Sequence, residues 1–385
     1  MYRIKTVLLL TISLFIVNSC SDDEGPTGNT TADPNGEEEL LVQFGNDESA
    51  DAVKVMTRNV YIGTDVGDLL TDATSIFEIP GLVTSAFNAL QSTDFSKRAK
   101  VLADEIEKTK PHVIGLQEVA KVFYQSPGDF LAGNPVPANE LLYDYLEILV
   151  AELSSRGLSY SAATILENAD IELPMNTSAM SDPGSVFDDV RLVDRDVILV
   201  RSDVQTSNAF SVQYSAELVV DTTLNIAIPR GYNSVEAQIG TNTYRIVNTH
   251  LEAFDPVDIL RSAQLTELLA ALEDETLPLI MLGDFNAAAP ANPVYQAILS
   301  AGFTDSWTEN TLTYNAGGFT FGHDGDLKNK SANFFTRIDF IFVRSQMAFK
   351  IGEAFVTGDE LRDRTSSGLW PSDHGGVIVK IDFNP

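Results

Sequence analysis

The sequence predicts one mixed α/β domain, and three observations predict it. From residue 51 to the C-terminus, short apolar runs alternate with amphipathic helical patterns. No internal repeat and no second linker interrupts that alternation. Apolar residues make up 44% of the 385-residue chain and aromatics 9%, which is enough for one large core.

The elements follow in order. VKVMTRN (53–59) reads as a strand ending in polar residues. TDFSKRAKVLADEIEKTKP (93–111) reads as a helix with Phe95, Ala99, Leu102 and Ile106 on one face and Pro111 at its end. HVIGLQEV (112–119) is a buried strand ending in Gln-Glu, and NELLYDYLEILVAELSSRG (139–157) a second amphipathic helix capped by Gly157. RDVILVR (195–201), SVEAQIG (234–240) and YRIVNTHL (244–251) read as strands, and DPVDILRSAQLTELLAALED (255–274) as a helix. PLIMLGDFN (278–286), RIDFIFV (337–343) and GVIVKIDF (376–383) complete the strands. The stretch 304–336 is loop-rich, and no register is assigned to it.

The first 50 residues differ from this pattern. MYRIK, the twelve-residue apolar run TVLLLTISLFIV and NSC have the layout of a secretory signal over residues 1–19. The apolar run is too short for a membrane span. Cys20 is the only cysteine, so no internal disulfide can form. IVNSC resembles a bacterial lipoprotein signal, with Val17 where leucine is usual. On that resemblance Cys20 carries the lipid and becomes the mature N-terminus; the other reading is an ordinary secreted protein with a cysteine near the cut. Ten acidic residues and no Lys or Arg follow before Ala52, which predicts a flexible acidic linker over 20–50. SDDE after the cysteine is similar to the acidic tag of surface-exposed lipoproteins of some Gram-negative bacteria. The expectation is an exported lipoprotein of the cell envelope, held to the outer or cell membrane by its anchor, with no protein partner implied.

The formal net charge is −30, and −22 once Arg3, Lys5 and the linker acids are removed. Such a domain repels phosphate backbones at long range, which argues against tight nonspecific nucleic-acid binding. A phosphate substrate is still permitted, because a bound divalent cation reverses the local field.

Polar residues gather where strands stop. The strands end at Asn59, at Glu118, at His250, and in Gly-Asp284-Phe-Asn286. In an open α/β sheet, ligands bind beyond the carboxyl ends of parallel strands. Asp339, and the pair Asp373–His374, open two later strands; if those run antiparallel, their starts share the same rim. Each residue alone has an ordinary reading: Asp284 as a turn aspartate, Glu118 as a surface acid, Asn59 as a turn residue, His250 as a core histidine. Asp339 lies in an apolar run, where an unpaired carboxylate costs several kcal/mol, so it wants a partner. The joint pattern favours one shared site. His112 follows Pro111 and reads as structural; His323 reads as a solvated side chain or a substrate contact.

The ordered set RN, LQE, NTHL, GDFN, RID and SDHGG resembles the endonuclease/exonuclease/phosphatase superfamily, from about residue 53 to the C-terminus. The resemblance implies a four-layer α/β sandwich, two mixed sheets face to face with helices outside. It implies a Mg²⁺ or Mn²⁺ held chiefly by Glu118, with Asn59 near it and Asp373 completing the oxygen ligands. Asp284 would orient or deprotonate the attacking water, the choice of general base staying open. Asn286 would hold a phosphate oxygen. His374, bonded to Asp339, and His250 would bind the phosphate and stabilise the transition state. His250 should have its own acidic partner, Asp194 being preferred to Asp196, and Arg230 is a further phosphate contact or a surface arginine at a strand start.

These roles suit in-line attack of water on a phosphoester. Cationic groups neutralise the developing charge, and a carboxylate positions the water. A carboxylate beside each histidine is expected to favour its cationic form. Three substrates compete: nucleic acid, a phospholipid or sphingomyelin, and a small phosphoester. The insertion 122–158 and the 304–336 loops are expected to shape that choice. An inactive binding module on the same fold is the alternative of another class.

Overall fold

The computed structural model describes residues 34–46, 52–66, 77–133, 135–177, 187–221, 226–254, 258–310 and 317–383. Two sheets carry the fold. The first holds β1 (Ala52–Asn59), β2 (Val113–Gln117), β3 (Lys121–Gln125), β4 (Glu140–Asp144), β5 (Tyr160–Met175), β6 (Asp188–Arg201), β15 (Phe349–Thr357) and β16 (Gly376–Phe383). The second holds β7 (Gln205–Gln213), β10 (Gly231–Ile239), β11 (Asn242–His250), β12 (Leu279–Asp284), β13 (Thr304–Asp305) and β14 (Asp339–Arg344). A separate ribbon pairs β8 (Leu218–Asp221) with β9 (Ile226–Ile228). The helices are α1 (Pro34–Asn46), α2 (Ile79–Ser92), α3 (Phe95–Thr109), α4 (Tyr145–Ser155), α5 (Ile259–Ala271) and α6 (Pro293–Ser300).

The first sheet runs β15-β16-β1-β2-β6-β3-β4, with β5 also on β6; the second runs β13-β14-β12-β11-β10-β7. Side chains alternate along the strands and so fill three cores. Val53, Val55, Val377 and Val379 meet Ile246, Ile280, Leu282 and Ile341 between the sheets. Met56, Ile114 and Ile378 face outward onto Phe95, Leu102 and Ile106 of α3 and Leu149 of α4. Met281, Phe340 and Phe342 face outward onto Leu265 of α5 and Ile298 of α6. Strands covered on both faces read as continuous apolar runs, as the central ones do here. The result is helix, sheet, sheet, helix: the four-layer sandwich.

Across the central gap the contact is close and partly polar. A Cβ on Gly115 would lie 1.9 Å from Leu282 Cδ1, so only glycine lets the sheets approach here. Beside it Gln117 Nε2 donates to Asn248 Oδ1 at 2.6 Å, and Asn248 Nδ2 to the Leu116 carbonyl at 3.2 Å. These bonds satisfy buried amides and fix one sheet against the other next to the rim that carries the site.

Three segments depart from the sequence reading. Residues 34–46, expected to be flexible linker, form α1, whose Leu41 and Phe44 are buried. Phe44 meets Phe355 edge-on at 5.6 Å, and Lys54 Nζ donates to the Phe44 and Gly45 carbonyls at the helix end. Composition masked this helix, because two apolar anchors are enough to dock it. The rest of the linker, the signal and Cys20 lie outside the described residues. The expected helix over 139–157 begins only at Tyr145: Glu140–Asp144 is a strand pairing antiparallel with β3, and Asp144 caps α4 by accepting the Leu146 N–H at 3.0 Å. The strand expected over 195–201 is the end of the longer β6, paired along its length with β5.

Candidate active site

Topology brings the strand ends together. β1 and β2 run parallel, placing Asn59 beside Gln117 and so next to Glu118. β11 and β12 run parallel with His250 opposite Asp284. β14 is antiparallel to β12, setting Asp339 opposite Asp284. β16 is antiparallel to β1, and Ser372 Oγ, just before it, donates to the Asn59 carbonyl at 2.8 Å. Glu118, Asp194, Arg230, His250, Asp284, Asn286, Asp373 and His374 all line one open cavity of about 390 Å³. Asn59 and Asp339 are fully buried and bonded to its lining residues.

Two of these residues sit in left-handed backbone: Glu118 at φ 59° and Asn286 at φ 50°. Non-glycine residues adopt that region rarely, and such strain concentrates at functional positions. It turns the chain sharply where each strand ends. Arg195 holds the first turn, its Nε donating to the Val119 carbonyl at 2.8 Å.

Asp284 is the hub. Its Oδ2 lies 3.2 Å from Asn59 Nδ2, 3.5 Å from His250 Nε2 and 3.6 Å from His374 Nε2. Its Oδ1 accepts the Asn286 N–H at 3.0 Å. Burial, then Asp339, raise its pKa, while His374 acts against them. Asn286 spends one amide N–H on the Leu251 carbonyl at 3.0 Å and has a second to offer a ligand.

The two histidines carry opposite electrostatics. Asp339 Oδ2 lies 2.9 Å from His374 Nδ1. Burial disfavours the imidazolium, but Asp339, Asp284 and Asp373 outweigh it and raise the His374 pKa to about 10. His250 was expected to be cationic with Asp194 as partner. Instead Arg230 Nη1 stands 3.1 Å from His250 Nδ1 and pairs with Asp194 at 3.2 Å. The carboxylate on the Nδ1 side of His250 is Asp196, at 4.0 Å. Burial, then Arg230 and His374, push the His250 pKa well below its usual value. A guanidinium has only donors, so Nδ1 is the acceptor and the neutral ring keeps its proton on Nε2, facing Asp284.

The donor set fits a hard divalent cation. Glu118 and Asp373 bring carboxylates to the cavity, and the Asp373 pKa is raised by burial and by Glu118, with His374 opposing. Carboxylates gathered in one cavity are relieved by a cation with oxygen preference. Asn59, expected beside the metal, has its Oδ1 on the Tyr61 N–H at 2.9 Å and its amide donating to Glu118 at 2.9 Å. It also donates to Asp284 at 3.2 Å and so orients both carboxylates. Such an ion, when bound, would supply charge neutralisation at a phosphoryl oxygen.

Several supporting residues escaped the sequence reading. Arg98 is wholly buried and donates to the carbonyls of Thr93 (2.9 Å), Val60 (2.6 Å), Tyr61 (3.0 Å) and Pro371 (3.0 Å). It thus ties the loop after Asn59 to the loop before Asp373. Arg58 binds Glu105 through two bonds of 3.1 and 3.0 Å and donates to the His374 carbonyl. Arg230 is a buried residue of the site, not a surface arginine. His323 is not a solvated side chain: it lines the same cavity but is buried, its ring between Phe334 and Trp370 and its nitrogens on Asn329 and the Gly358 carbonyl. His112 is structural, its Nδ1 accepting the Lys54 N–H at 3.0 Å.

Comparison with known proteins bears on the family and the fold. The chain matches the Endonuclease/Exonuclease/phosphatase family over residues 86–374. A family protein from Leptotrichia buccalis aligns over 86% of this chain and 100% of its own, at 17% identity and a TM-score of 0.53. One from Bacteroides thetaiotaomicron covers 87% and 98%, at 16% and 0.54. A mannosyl-6-phosphatase of Bacteroides thetaiotaomicron covers 86% and 100%, at 17% and 0.53. No curated protein matches the sequence. These structures share the fold, and the family match covers most of the domain: the chain belongs to the endonuclease/exonuclease/phosphatase family of phosphoester hydrolases.

Proposed function

We propose that the protein hydrolyses a small phosphoester, most simply a phosphodiester, by in-line attack of water with Mg²⁺ or Mn²⁺ bound. The observation that carries this reading is the convergence of His250 Nε2 and His374 Nε2 on Asp284 Oδ2 at 3.5 and 3.6 Å. Two imidazole N–H groups and one carboxylate around a single point suit a phosphoryl group flanked by its nucleophile. Glu118 and Asp373 would hold the cation. Asp284 would orient the water and take up its proton, which its raised pKa favours. Asn286, neutral His250 and cationic His374 would donate to the phosphoryl oxygens, with Arg230 behind His250.

Charge favours a small substrate. A net charge of −22 opposes a polyanion such as nucleic acid. Thr64 and Val66 line both the cavity and an adjoining open apolar cleft with Val83, Phe87, Leu90 and Leu173. A panel of plasmid DNA, RNA, sphingomyelin, inositol phosphates and small diesters, assayed with Mg²⁺, tests the reading. Turnover confined to small esters supports it. Preference for DNA or sphingomyelin reverses the substrate assignment, and no turnover on any member favours a binding module.

We also propose export and lipidation at Cys20. Cys20→Ser should move the protein from the membrane to the soluble fraction; unchanged fractionation contradicts the anchor. Among the described residues no helix is long and apolar enough to cross a membrane.

A further inference from the structure

A second group of carboxylates lies away from the cavity, where the connection from β3 to β4 folds back on β5 and β6. Asp189 Oδ2 accepts the backbone N–H groups of Asp129 at 2.5 Å and Phe130 at 2.8 Å. Glu172 Oε2 accepts the Ala138 N–H at 3.0 Å, so both ends of the connection are tied to carboxylates of the ribbon beneath. One side-chain oxygen from each of Asp129, Glu172 and Asp189 lies within 4.8 Å of the other two. Acidic residues often cluster without meaning. Here a separate observation points to a ligand: Asp189 is 1% exposed, and its Oδ1 is buried with no hydrogen-bond partner.

A bare carboxylate oxygen in a buried position is costly, and two more carboxylates beside it add repulsion. Protein donors already occupy Oδ2 and leave Oδ1 untouched. The backbone crowds the same carboxylate: a Cβ on Gly128 would meet its atoms at 2.5–2.6 Å. A compact, positive and oxygen-preferring partner for Oδ1 would relieve both the desolvation and the repulsion. We propose that Asp129, Glu172 and Asp189 form a divalent-cation site of the Ca²⁺ class, which pins the β3–β4 connection onto the β5–β6 ribbon. Three carboxylates from three chain segments, one carried on a loop, suit the irregular and adaptable shell of Ca²⁺ better than the strict octahedron of Mg²⁺. Asp189 is five residues from the cavity-lining Asp194 along β6, roughly 17 Å of strand, so this ion would be distinct from the catalytic one.

Limited digestion of the mature chain with chymotrypsin tests the site, because Leu131, in the pinned connection, is 59% exposed. Cleavage after Phe130 and Leu131 is followed in Ca²⁺, in Mg²⁺ and in chelator. With Ca²⁺ at ten times its dissociation constant, cutting there should slow about tenfold. Glu118→Gln, which damages only the catalytic cation site, should keep that protection. Asp129→Asn and Glu172→Gln should each lose it; Gln at 172 can still accept the Ala138 N–H, so the connection should stay folded. Three outcomes overturn the proposal: no Ca²⁺ protection in the parent, protection that persists in both carboxylate variants, or protection lost in Glu118→Gln alone. Equal protection by Mg²⁺ overturns the choice of ion class.

Discussion

Asp339 holds His374 from behind, its Oδ2 2.9 Å from the imidazole Nδ1, with both side chains buried. Asp339 opens β14 in the second sheet and His374 lies just before β16 in the first, and their contact leaves His374 Nε2 facing Asp284 in the cavity. From this pair follows the first prediction. In metal-free protein, NMR titration should find His374 protonated to about pH 10. Its folded pKa is raised above the unfolded value, so it contributes stability that is complete below about pH 6.5 and fades as pH climbs towards 10. Asp339→Asn should lower the His374 pKa by one unit or more and reduce kcat roughly 100-fold. An unchanged titration in the variant contradicts the pairing.

His250 should behave in the opposite way. Nitrogen-15 NMR should show a neutral ring protonated on Nε2 throughout the physiological range, because burial and Arg230 oppose its charging. Arg230→Met removes the cation beside Nδ1. The His250 pKa should then rise towards 6.5, and kcat should fall about 100-fold as a preorganised donor is lost. A cationic His250 in the parent at pH 7 contradicts this arrangement.

Arg98 makes the same site sensitive to a residue that touches no substrate. Arg98→Met strands the Val60, Tyr61, Thr93 and Pro371 carbonyls in a buried setting and should destabilise the fold by about 3 kcal/mol. Arg98→Lys keeps the charge but cannot span four carbonyls. Its expected signature is weakened Mg²⁺ binding at modest loss of stability, read by calorimetry beside urea denaturation. Unaltered Mg²⁺ affinity in Arg98→Lys contradicts the tie between the two loops.

The docked α1 is tested separately. Phe44→Ala removes a buried ring packed on Phe355 and should cost about 3 kcal/mol, with kcat unchanged because α1 contributes no residue to the cavity. A change below about 0.5 kcal/mol means that α1 does not dock in solution.

How much of this was legible in the sequence depends on what each residue answers to. Asn59, Glu118, His250 and Asp284 could be found because they interrupt apolar runs where a strand must end. Asp339 showed the need for a partner because it is a carboxylate in an apolar run, and the family resemblance supplied His374 as that partner. Asp194 and Asp196 could not be separated: two residues apart on β6, they share a face, and the insertion of Arg230 from the connection just before β10 decides which one nears His250 Nδ1. Arg98 was invisible, since a basic residue on an amphipathic helix looks solvated and its partners are backbone carbonyls. The cross-sheet pair Gln117–Asn248 lay inside the quoted motifs, but its role appears only when two distant strands meet.

The central claim is that Glu118, Asp284 and His374 act together on a phosphoester with a divalent cation. Its most direct test is the rate of bis-p-nitrophenyl phosphate hydrolysis in Mg²⁺, in chelator, and in Asp284→Ala. We predict turnover in Mg²⁺, none in chelator, and a loss of at least about 1,000-fold in the variant. Full rate in chelator, or an Asp284→Ala enzyme as fast as the parent, contradicts the account.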